Sequence, residues 1–284
     1  MKKRFSITYK EQSEVLSAER RFAYTVSSGF SETAFSLAGG TVRPETLEAA
    51  HRAGLKIEAL KLPTEGVDLL WSPSSYREDR EDALPSDTRL PDDTTWQMLL
   101  DIYTSYFTFA AGVGIERVVF TPSYGKSPAP VSQTALARFR KLAECAESKG
   151  VRLLIENGSS APHFEAAVRV CCEGGFHGVS FAPAVAFRHY GTSAIPPYVT
   201  GCLSRLSLDD IKDGEGGYLP LDGDTDFRPF AKSLAPLHFR GTLAISPNAT
   251  LPLYRDYDYF GFASRAYDRL SSLLRLMKNE EGVV

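Results

Sequence analysis

Two groups of residues in this sequence have the types and spacing to do chemistry. Glu156 closes the apolar run VRLLIENG, and Asp209, Asp210 and Asp213 follow the next-but-one apolar run in RLSLDDIKDG. If one of these aspartates meets Glu156, the two carboxyls form an acid/base pair whose mutual repulsion separates their pKa values. The alternative is a solvated acidic loop. The second group is cationic: Lys61, Arg188, His189 and Arg205 each stand near the end of an apolar run or just after one. An arginine fork offers paired donors to a phosphate or carboxylate, so an anionic or polyhydroxylated ligand is one reading and ordinary salt bridging to nearby acids is the other.

Other constellations fit less well. Asp222, Asp224 and Asp226 have the alternate spacing of a calcium loop, but Phe227 stands where glycine is needed and Ser233 where the closing glutamate belongs. They read better as turn formers and a helix cap. Ser207 and Ser246 have no GxSxG context and no neighbouring histidine to act as base. Neither GxGxxG nor a phosphate-cradling P-loop occurs, so no nucleotide or other cofactor is expected. His51, His163, His177 and His238 fall in helices or helix–strand connections, where surface or satisfied core roles are the expectation. Cys145, Cys171, Cys172 and Cys202 lack CxxC spacing and read as reduced, packed thiols.

The elements that must position these residues alternate. Short β-branched or aromatic runs at 5–9, 32–37, 55–62, 117–121, 151–156, 178–182, 203–208 and 242–246 are separated by stretches with helical periodicity at 44–53, 95–111, 132–148, 164–172 and 262–278. Eight strands with helical crossovers predict an α/β chain folded as one closed (β/α)8 TIM barrel. Gly112, Gly150 and Gly174 are placed to end helices in the left-handed conformation. The segment 72–93 is polar, charged and rich in Pro and Ser, a long loop that is either a lid over the barrel mouth or a surface excursion. The 284 residues suit a single barrel domain spanning 1–284.

Composition narrows the partners. With 43% hydrophobic and 24% charged residues and a formal charge of −3, the chain has material for a core and lacks the basic footprint of a nucleic-acid binder. No apolar run is long enough for a membrane span or a signal peptide, so a cytoplasmic protein with a small-molecule ligand, no membrane partner and possible self-association is expected.

Four places along the chain carry a resemblance. The chain resembles the xylose isomerase-like sugar phosphate isomerase and epimerase family of carbohydrate metabolism: Glu156 and Asn157 match the Glu-Asn that ends its fifth strand, and RLSLDDIKDGEGGYLPLDGDTDFRPF resembles the stretch after its seventh. GLKIEALKLP and IERVVFTPSYG resemble its third and fourth strand regions. The resemblance implies a xylose isomerase-like barrel, with Glu156 as the candidate catalytic residue. It implies a ligand bound near Asn157, Lys61, Arg188, His189, Arg205, Ser207, Asp209 and Ser246.

The chain departs from the family in its metal ligands. The family holds a divalent ion with Glu, Asp, His and Glu from strands five to eight; here Ala182 and Val185 stand at the sixth-strand Asp and following His, Ser207 at the seventh-strand His, and Ser246 at the last Glu. Thr121 stands where a fourth-strand His is common, and no Asp or Glu occurs between Glu173 and Asp209 or between Asp226 and Asp256. A divalent site needs several such ligands converging, so no tightly bound metal is expected. Two functions remain: a catalytically silent barrel that keeps a ligand pocket, and an isomerase or epimerase in which Glu156 moves a proton while Lys or Arg replaces the metal.

Overall fold

The computed structural model of the chain describes residues 4–10, 16–38, 40–72, 92–124 and 129–281. The segment expected to form a lid lies, for 73–91, outside the described residues. Eight parallel strands close a barrel: β1 (Arg4–Lys10), β2 (Glu32–Ser36), β3 (Lys56–Lys61), β4 (Arg117–Phe120), β5 (Arg152–Glu156), β6 (Gly178–Phe181), β7 (Leu203–Ser207) and β10 (Thr242–Ile245), with β10 joining β1 to β7. All eight coincide with the runs picked from the sequence to within a residue or so at most ends. Between them run α1 (Ala18–Ser27), α2 (Pro44–Arg52), α3 (Asp92–Gly112), α4 (Gln133–Ser148), α5 (Ala161–Cys171), α6 (Pro183–Tyr190), α7 (Arg228–Leu234) and the closing α8 (Tyr259–Glu281).

Period-two alternation explains the layers. On β1, Phe5, Ile7 and Tyr9 enter the main core beneath the helices, and so do Phe35 and Leu37 at β2, Val118 and Phe120 on β4, Leu153 and Ile155 on β5, and Leu243 and Ile245 on β10. The residues between them face the axis, where Ala34, Ala59, Val119 and Leu154 form a small separate apolar cluster. Burial of the outer set supplies most of the driving force for closure, at roughly 25 cal/mol per Å² of apolar surface. Helix α8 packs against the first strand, its Tyr267 meeting Phe5 edge-on at 5.2 Å.

Local chemistry ends and starts the helices near the mouth. Ser132 caps α4, accepting from the Ala135 amide at 3.1 Å, and Pro183 opens α6 directly behind β6. Gly150 adopts a positive φ as expected, whereas the left-handed turns foreseen at Gly112 and Gly174 fall at Gly114 and Gly175. After β7 the chain makes a hairpin of β8 (Asp210–Lys212) and β9 (Glu215–Tyr218), turned by Asp213 at φ 50° and Gly214 at φ 79°. Two adjacent positive φ angles on Asp-Gly match the tight turn that suits strand twist. Among the described residues no helix is long and apolar enough to cross a membrane.

Candidate functional site

Glu156, Ser207 and Ser246 stand at or one residue past the carboxyl ends of β5, β7 and β10, on one face of the barrel. A cavity of about 520 Å³ opens there, lined by Lys61, Glu156, Asn157, Arg188, His189, Ser207 and Asp209 among others. Seven of the nine residues proposed from the sequence therefore share one pocket. The eight-residue α6 forms one wall, the β8–β9 hairpin contributes Ile211, Gly216 and Gly217, and Tyr124 and Thr64 complete the rim.

Glu156 is the most constrained group. Its Oε1 lies 2.6 Å from the Lys61 ammonium, and its Oε2 accepts from Ser180 at 2.8 Å and from Arg205 Nη1 at 3.4 Å. Burial alone pushes its carboxyl up, but Lys61 and Arg205, with the hydrogen bonds from Lys61 and Ser180, outweigh it and hold the group below the usual carboxylate range. Asn157 is spent on structure: its side-chain amide donates to the Ala182 carbonyl at 2.9 Å and accepts from the Ala182 amide at 2.6 Å, which ties the end of β5 to the start of α6. Tyr190 reinforces that wall by donating to the Gly158 carbonyl at 2.8 Å.

Asp209 behaves differently. It lies partly buried between β7 and the hairpin, and its Oδ1 accepts from the Ser246 amide at 2.5 Å. Burial raises its pKa to about 6, opposed by that hydrogen bond and by Lys61 and reinforced by Glu156. The neighbouring Asp210 is fully buried and accepts from the amides of Ile211, Gly223 and Thr225, so it braces the loop. Asp222 likewise anchors Arg265 and Arg269 of α8. His163 and His177 are satisfied core residues, as read from the sequence, bonded to the Ala129 and Ala143 carbonyls.

Two expected ligand contacts do not line the pocket. Arg205 was placed at or near the mouth, but it is fully buried beneath it, its Nε 2.9 Å from Glu58 Oε1. Arg205 stands two residues before Ser207 on the same inward row of β7, so it points to the axis one layer below the mouth and lies 3.4 Å from the Ser207 hydroxyl. Its partner Glu58 is turned inward by a register slip on β3, where Ile57 faces Thr33 and Ala59 faces Ala34, which leaves Glu58 as an extra residue. A bulge of this kind re-aims a side chain, and here it brings opposite charges together inside the barrel. Ser246 donates its hydroxyl to Thr8 at 2.6 Å and serves the site through its backbone amide.

The family's metal does not fit these residues. Ala182, Val185, Ser207 and Ser246 present no carboxylate or imidazole, both oxygens of Glu156 already accept from cations or a hydroxyl, and among the described residues no group of three or more His, Cys, Asp or Glu is placed to hold an ion.

Fold and site together define a (β/α)8 barrel whose polar pocket sits at the carboxyl ends of its strands. Its particular form is the xylose isomerase-like barrel. An L-ribulose 3-epimerase superposes with TM-score 0.65 at 15% identity, covering 99% of this chain and 98% of that one. A xylose isomerase domain protein from Planctomyces limnophilus gives 0.62 at 16%, over 98% of both chains. A D-allulose 3-epimerase from Methylomonas sp., in complex with D-allulose, gives 0.64 at 14%, over 98% of this chain and 97% of that one. No family model matches the sequence. A search of curated proteins finds no match.

Proposed function

We propose that this chain binds a small polyhydroxylated or anionic compound at the barrel mouth and does so without a tightly held divalent metal. The observation that carries the reading is the Lys61 ammonium 2.6 Å from Glu156 Oε1. A single positive charge on a flexible stem stands beside the carboxylate that the resemblance assigns to a metal, and Arg205 and Ser180 take the other oxygen. Arg188 and His189 on α6 then offer donors to hydroxyls or to an anionic group from the facing wall.

A second reading, an active isomerase or epimerase, is favoured by Asp209. Glu156 has both oxygens occupied and is held ionised, which makes it a weak base and a good anchor for Lys61. Asp209, with a pKa of about 6 in the wall of the same cavity, is better matched to take a proton from a carbon next to a carbonyl near neutral pH. Lys61 would then stabilise the developing enolate oxygen.

Thermal-shift titration with ketohexoses, among them the D-allulose bound by one structural neighbour, before and after treatment with a chelator, tests the first reading. Stabilisation that survives chelation, in protein containing less than about one-tenth equivalent of Mn, Zn, Co or Mg by plasma mass spectrometry, is the expected result. A stoichiometric metal, or stabilisation that vanishes on chelation and returns with Mn²⁺, would overturn it. Exchange of the ligand's carbon-bound hydrogen in deuterium oxide, followed by NMR, separates the active reading from the silent one.

A further inference from the structure

We infer a second binding site, for a multivalent oxyanion such as a phosphate ester or pyrophosphate, in the floor of the barrel at the amino-terminal ends of the strands. The residues that form it begin the strands: Arg4 on β1, Lys56 on β3, Arg117 on β4 and Arg152 on β5. They line a cavity of about 430 Å³ together with Glu116, Gly150 and Phe176. Four cations thus face one carboxylate across a space large enough for a phosphate and a small organic portion.

The ion pairs behind the cavity fix two of the cations and leave the other two available. Arg4 is held by Glu32, Nε to Oε1 at 2.6 Å and Nη2 to Oε2 at 3.3 Å. Arg117 reaches Glu58 at 3.5 Å and Thr242 at 3.5 Å with only 15% of its side chain exposed. Among the described residues Lys56 and Arg152 have no carboxylate partner; Arg152 instead lies over the Phe176 ring, 5.8 Å from its centre. Arg152 thus lines the cavity with a planar donor beside an apolar ring. Arg117 is also crowded: burial lowers its pKa, and Arg4 and Arg205 lower it further while Glu58 and Glu32 oppose them. An anion in the cavity would relieve that like-charge crowding.

The site is separate from the mouth. Between Arg117 and the mouth lie Glu58, Arg205 and Glu156, in contact in that order, with Lys61 at the far end. An anion at the floor therefore draws on a different set of cations from one at the pocket.

Isothermal titration with inorganic pyrophosphate and with inorganic phosphate, against potassium chloride at matched ionic strength, tests the inference on the intact chain. Expected is saturable binding that chloride does not reproduce, at least tenfold weaker in Lys56→Gln/Arg152→Gln and changed less than about twofold in Lys61→Gln/Arg188→Gln at the mouth. Neither floor residue touches a carboxylate, so the double variant is expected to fold; circular dichroism checks this, and the two single variants carry the test if it does not. Absence of saturable binding overturns the site, as does a loss that follows the mouth variants or that chloride alone reproduces.

Discussion

Replacing Arg205 by Met is the perturbation that reports most directly on the barrel interior. Arg205 and Glu58 have fully buried side chains, and Nε to Oε1 is 2.9 Å. Removing the guanidinium leaves Glu156 still paired with Lys61 at 2.6 Å, but leaves Glu58 with only Arg117 at 3.5 Å and with an Oε2 that already lacks a hydrogen bond. Breaking one side of a buried pair costs about 3–5 kcal/mol. At roughly 2–4 °C per kcal/mol for a domain approaching this size, the melting temperature should fall by about 6–20 °C. Melting of the two proteins by calorimetry at a single pH measures the deficit. Adding Glu58→Met to Arg205→Met should recover much of the loss, because an apolar pair has no charge to strand. A deficit under about 1 kcal/mol would refute the buried pair.

Gly158→Ala should destabilise the mouth by about 1–3 kcal/mol in urea unfolding, since an added Cβ would lie 1.9 Å from the Ser123 carbonyl oxygen, whereas Gly174→Ala, with nothing within 4 Å, should be close to neutral; equal losses would show that the packing around Gly158 is not tight. Asp209, raised from 3.8 to about 6, makes the folded state bind the extra proton, so its contribution to stability falls as pH rises from about 4 to 6. Asp209→Asn should flatten that part of the melting-temperature profile, and an unchanged slope would mean that the carboxyl titrates normally.

Strand positions were legible because barrel strands are short β-branched or aromatic runs with ordinary period-two burial, and the outward residues, such as Ile7 and Phe35, are apolar on every strand. The carboxyl-end pocket followed from strand ends alone, which is why Glu156, Lys61, Asp209 and Arg188 came together. The buried Glu58–Arg205 pair was not legible, since strict alternation back from the inward Ala59 and Lys61 puts Glu58 on the outer face and only a bulge turns it inward. A run such as KIEALK gives no local mark of an extra residue. The β8–β9 hairpin did carry a signal, Asp213-Gly214 between polar strands, which the acid-rich composition of the loop masked. Helix α6 was missed because eight residues that open on a proline show too little periodicity to separate from a loop.

The charges around the mouth support the proposal that this pocket works without a tightly held metal. The interior chain contains Glu58 and Glu156 against Arg117, Arg205 and Lys61, and Asp209 supplies a third carboxyl at the pocket wall. Above pH 6, with Asp209 ionised, three acids meet three cations and the cluster is balanced. A divalent ion would add two positive charges to that balance and would have to expel Lys61 to reach Glu156, at the cost of stripping its own water. With Asp209 protonated the cluster carries one net positive charge, which favours an anionic or hydroxyl-rich ligand over a cation. On the proposed reading, Ala182, Ser207 and Ser246 offer no further ligand to a divalent ion, while Lys61 and Arg205 already neutralise Glu156.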